Sequence, residues 1–315
     1  MADTGGITRR TGLRTVAAAV AVPLLGTCRS SAAADRPGDA EADDEGPAAP
    51  VRYPPLEVMT FNLRFPSTKE PYSWASRRPA MRALLRGAAP HVIGTQEGEP
   101  PQLRDIEADL GPHFDWIGTG RGGGDQESMA VFYDTRRLTP LEHAHFWLSD
   151  TPEVHGSNTW GGMHPRMVTW VRFRDVRAGG RQFCLLNTHL DHKSRYAQER
   201  GAALIASRVA GFDPGLPLLV TGDFNVPAHN SRVYETLLDA GLVDTWDTAR
   251  VRGEAFGTFH GYKPLRPDGA RIDWILATPG VTVHRSWVDT FTLDGRYASD
   301  HVPVLASVSM GERQG

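Results

Sequence analysis

Cysteine is almost absent: the 315 residues contain two, Cys28 and Cys184. That excludes a disulfide framework and a cysteine-rich metal site. If Cys28 is removed with an export segment, Cys184 stands alone, and its place in QFCLLN marks it as a small buried apolar residue. Excess charge of either sign is also missing. Thirty-four Lys and Arg against 37 Asp and Glu leave a net charge of −3, which argues against an electrostatic coat on nucleic acid. It leaves open an enzyme that holds one phosphate with a metal ion and a few local cations. No apolar run is long enough for a permanent bilayer span. No internal repeat and no break in composition occur between residues 56 and 310. What remains, 40% hydrophobic and 23% charged, is the balance of a soluble globular domain.

The first 50 residues read as export and tether. TRRTGLR (8–14) precedes the apolar run TVAAAVAVPLLG, and SSAAAD offers small residues for cleavage after Ala34. The Arg9-Arg10 pair resembles a twin-arginine signal, with Gly12 where a large apolar residue is usual. Leu25-Gly26-Thr27-Cys28 offers a lipoprotein alternative with a poor residue before the cysteine. The expected layout is an export signal at 1–34, a disordered linker at 35–54, one domain at 55–310 and a tail at 311–315.

Within the domain, LEVMTFNLRF, HVIGTQE, MAVFY, MVTWVRF, RQFCLLNTHL, LPLLVTGDFN, RIDWILA, VTVHRSWV and VPVLASV read as strands. Several are apolar on both faces, as sheets packed face to face or under helices require. Helices are expected around Met81–Ala88, Leu103–Leu110, 195–212 and Tyr234–Gly241, where apolar residues recur at three- and four-residue spacing. The Gly-rich GTGRGGGDQE (118–127) is a loop and a weak phosphate cradle, because no helix start follows it.

Six of these apolar segments deliver an acid, amide or imidazole near one end. They are Asn62; Glu97; His189 with Asp191 and His192; Asp223 with Asn225; Asp273; and Asp300 with His301. Each alone has an ordinary explanation as a turn, a cap or an ion pair. Together they describe a scaffold presenting a site on rigid strand ends. Glu97, Asn62 and Asp300 are hard oxygen donors suited to Mg²⁺ or Mn²⁺. Asp223 can position or deprotonate water, and His189 and His301 can donate to phosphoryl oxygens once a carboxylate fixes each tautomer.

TFN, TQE, NTHLDH, TGDFN, RIDWIL and SDH, in that order, resemble the endonuclease/exonuclease/phosphatase superfamily, from about Leu56 to Ser309. The resemblance implies an α/β fold: a four-layer sandwich of two mixed, mainly antiparallel sheets packed face to face and flanked by helices. It implies a metal-dependent phosphoesterase in which Glu97 and Asn62 hold the metal, with Asp300 on the metal side. Asp223 and Asn225 orient the water, Asp273 and His301 form a carboxylate–histidine pair, and His189 is the second histidine. By the same resemblance to its deoxyribonuclease branch, Glu127 backs His189 and Arg166 contacts phosphate, whereas an aromatic of that branch is replaced near Asp125. Asp191 is expected to add a metal ligand, hold Arg195 or touch substrate, and Trp160 and FHGYKP (259–264) to wall the pocket. The expected protein is an exported monomer with Mg²⁺ or Mn²⁺, acting on a small phosphate ester such as a sugar or inositol phosphate. A secreted nuclease and a non-catalytic binding protein on the same scaffold are the alternatives, and a sphingomyelinase-like phospholipase lacks its apolar hairpin.

Overall fold

The computed structural model describes residues 53–122 and 126–311. The export signal, Cys28, Asp125, nearly all of the linker and nearly all of the tail therefore lie outside the described residues.

In chain order the elements are β1 (Leu56–Asn62), α1 (Trp74–Ala88), β2 (Val92–Gln96), α2 (Pro100–Leu110), β3 (Phe114–Ile117), β4 (Val131–Asp134) and β5 (Leu138–Trp147). There follow β6 (Met167–Asp175), β7 (Arg181–His189), α3 (Arg195–Ala210), β8 (Leu218–Asp223) and α4 (Arg232–Asp239). The chain closes with β9 (Val243–Asp244), α5 (Thr245–Thr248), β10 (Val251–Arg252), β11 (Asp273–Ala277), β12 (Val281–Val288) and β13 (Val304–Met310). Serines begin three of the helices. Ser73, Ser194 and Ser231 each accept a hydrogen bond from the backbone N–H three residues on, satisfying a donor that the helix leaves open.

Seven strands form one sheet in the order β10-β12-β13-β1-β2-β4-β3, and six form the other, β5-β6-β7-β8-β11-β9. Only β1–β2, β10–β12 and β7–β8 pair in parallel. Strand alternation then sorts the side chains into layers. Leu56, Val58, Leu185, Leu219 and Ile275 point into the core between the sheets. Phe61, Ile93 and Leu305 face α1 and α2 on one outer side. Leu186, Val220 and Leu276 face α3 and α4 on the other. The result is the expected helix–sheet–sheet–helix sandwich. Among the described residues no helix is long and apolar enough to cross a membrane.

The same alternation carries polarity to one end of the interior. Along the inner face, β1 runs Leu56, Val58, Thr60, Asn62, while β7 runs Leu185, Asn187, His189 and β8 runs Leu219, Thr221, Asp223. Thr60, Asn187 and Thr221, one pleat below the strand ends, and the side chain of Gln96, which reaches back from the end of β2, make a fully buried polar layer. Gln96 Nε2 donates across the sheets to Asn187 Oδ1 at 2.7 Å, and Asn187 Nδ2 donates to Thr95 O at 2.8 Å. Gly94 makes the approach feasible. A Cβ there would lie 2.1 Å from Thr221 Oγ1 and 2.6 Å from Asn187 Oδ1.

β3, β5, β9 and β10 do not appear among the strands expected from sequence. Three are four residues or fewer, and β5 is an edge strand with a bulge after Pro140 and a mostly exposed middle. An edge strand facing water shows no burial pattern. Replacing Gly94 with Ala is expected to destabilise the domain by about 1–3 kcal/mol through overpacking. The check is a lower urea midpoint with an unchanged slope.

Candidate active site

Register brings the site together. Asp223 on β8 pairs with His189 on β7 and with Asp273 on β11. Two carboxylates directly opposite one another would repel in an apolar layer. An imidazole separates them: His301 Nδ1 lies 2.9 Å from Asp273 Oδ2, and its Nε2 lies 3.7 Å from Asp223 Oδ2. His189 Nε2 approaches the same Asp223 oxygen at 3.5 Å. Asn62 completes the ring, its Nδ2 donating to Asp223 Oδ2 at 2.9 Å and to Glu97 Oε1 at 3.0 Å. Asp223 Oδ1 accepts from the backbone N–H of Asn225 at 2.9 Å, and Asn225 Nδ2 donates to Leu190 O at 3.0 Å.

Three strands deliver these groups through left-handed residues just beyond their ends: Arg64 (φ 53°), Glu97 (φ 64°) and Asn225 (φ 55°). Non-glycine residues rarely hold this conformation, and such strain gathers at functional sites. Arg77, buried in α1, ties the rim. Its guanidinium donates to the carbonyls of Leu63, Arg64, Phe65, Tyr72 and Ala298.

Burial and neighbours drive the titrations apart. Burial, and then the charge of Asp273, push the Asp223 carboxyl up to about 7, against the pull of His301 and the Asn62 hydrogen bond. His301 is opposed by burial, yet Asp273 and Asp223 hold its proton and raise it to about 10. His189 is driven well below the ordinary value, by burial first and then by Arg166 and Arg121. One carboxylate thus lies between a protonated and a neutral imidazole. Environments that separate otherwise similar groups are what an acid–base site requires.

Glu97, His189, Asp223, Asn225 and His301 open onto a cleft of roughly 400 Å³, with Asn62 and Asp273 buried behind them. Arg121 and Arg166 supply its cationic lining, His164 and His192 add imidazoles, and Phe65 and Phe259 are aromatic residues exposed there. Arg166 is 6% exposed, its Nη2 lies 3.3 Å from His192 Nδ1, and its Nε and Nη1 have no hydrogen-bond partner among the described residues. A buried guanidinium with spare donors suits an anion.

Several expectations need correction. Glu127 lines the cleft but pairs with Arg121, at 2.6 Å, while His189 Nδ1 has no partner among the described residues. Glu127 therefore does not back His189. Asp191 accepts backbone N–H bonds from Met163, Lys193 and Ser194, so its oxygens pin a loop; Arg195 pairs instead with Glu199. Trp160 is buried with Phe146, Leu148 and Leu190 on the helix side of the second sheet and is not part of the cleft lining. Asp300 lines the cleft, as expected, but is held by Arg64, a cation that the sequence reading passed over. The signal was present: Arg64 follows the strand-end amide Asn62 by two residues, and its N–H donates to Asn62 Oδ1 at 2.9 Å.

Two donor sets bear on a metal. Asp223, Asp273 and His301 bring oxygen and nitrogen atoms within 4.8 Å of one another in a buried group able to bind an ion. Glu97, Asn62 and Asp300 offer oxygens alone, with Glu97 and Asp300 lining the cleft. The second set is the better match to a hard cation by donor type; Asn62 Oδ1 accepts from Arg64 N–H and Asp300 pairs with Arg64, so binding an ion would exchange those contacts. The residues present fit a divalent ion.

The model of the Endonuclease/Exonuclease/phosphatase family matches residues 59–301. The chain belongs to that family. It is a hydrolase of phosphate esters, in a family that is generally metal-dependent. Among solved structures, a mannosyl-6-phosphatase from Bacteroides thetaiotaomicron is 32% identical; the match covers 81% of this chain and 99% of that one, with a TM-score of 0.75. A family protein also from Bacteroides thetaiotaomicron is 31% identical over 82% of this chain and 98% of its own, with a TM-score of 0.76. The human Nocturnin catalytic domain, with a bound sulfate, shares the fold at 17% identity, a TM-score of 0.63, and coverage of 82% and 95%. No curated protein matches by sequence.

The raised value of His301 fixes the sign of one pH effect. Its contribution to stability is fully present below the ordinary imidazole value of about 6.5 and is lost as pH rises through about 10. In metal-free protein, NMR of the imidazole nitrogens is expected to show His301 protonated at pH 8. Asp273→Asn is expected to bring its titration down toward or below about 6.5. An unchanged titration would mean that Asp273 does not hold the proton.

Proposed function

We propose that this chain is an exported, divalent-metal-dependent phosphoesterase that hydrolyses a small phosphate ester, with sugar phosphates as the foremost class. The observation that carries the reading is the ring around Asp223: one raised carboxylate between a charged and a neutral imidazole, at a cleft lined by a buried arginine whose Nε and Nη1 have no partner among the described residues. The cleft volume is at the lower end of the range for small-molecule sites, which favours a compact ester. The similarity to a chain named as a mannosyl-6-phosphatase points the same way. Export is supported by the Arg9-Arg10 pair and the apolar run that follows.

In this reading Asp223 orients the attacking water and takes its proton, with Asn225 fixing the carboxylate through its backbone N–H. His301, kept charged by Asp273, donates from Nε2 to a phosphoryl oxygen as negative charge builds there. His189 stays neutral and presents Nε2 on the other side of Asp223. Arg166 offers its free N–H groups to a second phosphoryl oxygen. Glu97, Asn62 and Asp300 would hold the divalent ion, which when bound supplies charge neutralisation at the phosphate. A nuclease would need an extended cationic groove to track a backbone, and the net charge of −3 does not favour one.

Hexose 6-phosphates, inositol phosphates and single- and double-stranded nucleic acid, assayed side by side, test the substrate class. Phosphate release from the sugar esters is expected, and cleavage of nucleic acid alone would overturn it. Asp223→Asn is expected to lower kcat by about 10²–10⁴-fold with little change in KM. EDTA is expected to abolish turnover and Mg²⁺ or Mn²⁺ to restore it; full activity in EDTA would remove the metal from the mechanism.

A further inference from the structure

Phe259 and Ile272 line the catalytic cleft and also line a second pocket of about 530 Å³. Lys263, Pro264, Arg266 and Asp268 contribute to its other walls. Phe259 is 55% exposed, yet its backbone is firmly held. It bridges to His301, and its ring centroid lies 4.9 Å from the His301 ring. On one side, Thr258 Oγ1 accepts from the N–H groups of Ile272 and Asp273; on the other, His260 N–H donates to Asp300 O. A large apolar ring on a fixed strand bridge, left uncovered beside the catalytic histidine, is a surface that the chain's own packing does not use. Lys263 and Arg266 are exposed, and neither side chain has an ion pair or hydrogen bond among the described residues.

We infer that the second pocket is the leaving-group subsite and receives a further sugar ring, with Phe259 as its platform. The inference rests on the phosphoesterase reading above. In a monoester everything beyond the phosphoryl group belongs to the leaving alcohol. Arg121, His164, Arg166 and His192 form the lining suited to the phosphoryl oxygens, so the aromatic boundary is left for the organic part. A pyranose has one face of C–H groups that packs on an aromatic ring and a rim of hydroxyls that needs donors and acceptors. Phe259, Ile272 and Pro264 offer the first surface, and Lys263, Arg266 and Asp268 the second. The substrate class is therefore a phosphorylated residue within a longer carbohydrate, and a nucleobase on the same platform is the competing occupant.

The test compares kcat/KM for a hexose 6-phosphate, a disaccharide bearing the same 6-phosphate, and a dinucleotide. Wild type is expected to prefer the disaccharide ester over the hexose ester by about 3- to 10-fold, the usual worth of one aromatic contact. Phe259→Ala should bring that ratio near unity. Phe259 touches His301, so the double variant Lys263→Ala/Arg266→Ala is measured too. A lesion at His301 lowers both rates alike, whereas loss of the subsite lowers the ratio. Hydrolysis of the hexose ester without preference in wild type, or a ratio unchanged in both variants, overturns the subsite alone. Preference for the dinucleotide overturns it in favour of base stacking. Failure of both sugar esters overturns the sugar-phosphate reading together with it.

Discussion

The Asp223 carboxylate, buried between two sheets, is the constraint around which the structure is arranged. A lone ionised carboxylate in that position costs far more than folding can supply. It persists because three kinds of group face it: a cationic imidazole, a neutral imidazole and an amide N–H, each from a different strand or loop. Asp273 is adjacent in the sheet and would worsen the problem, but it fixes the proton on His301 that answers both acids. The site is thus an electrostatic compromise that a phosphoryl group and a divalent ion would complete.

Such a compromise needs an interior that tolerates polarity in one zone only. The layer of Thr60, Gln96, Asn187 and Thr221 provides the transition between aliphatic core and charged ring. Buried polar groups of this kind are stabilising only when their partners are in place. Gly94 sets the spacing that puts them in place. Fold and chemistry meet at that layer: it closes the core and also supports Asn62, His189 and Asp223 two residues further along the same strands.

Much of this was legible in sequence. Central strands announced themselves because both their faces are buried, and the ends of β1, β2, β7 and β8 delivered the groups that converge. The ordered motifs identified the family, and the Asp273–His301 pair is as the resemblance implied. What failed was inference about loops. Glu127 and Asp191 are acids of the right type near the right place, but their partners are chosen by local geometry: a guanidinium six residues back for one and three backbone N–H groups for the other. Trp160 sits among Gly and polar residues that suggest a cleft wall, yet its ring has the helix-side core within reach. The pairing of Arg64 is not legible from sequence because its partner Asp300 lies 236 residues away and only the fold brings them together.

Arg77 has a consequence of its own. Its five N–H donors are all spent on carbonyls of the segments that frame the active cleft, while its backbone belongs to α1. Fraying of that helix and loosening of the entrance are therefore a single event. Unwinding the first turn of α1 would release the carbonyls of Leu63, Arg64, Phe65 and Ala298 together, so a helix remote from the reacting atoms is tied to the shape of the opening.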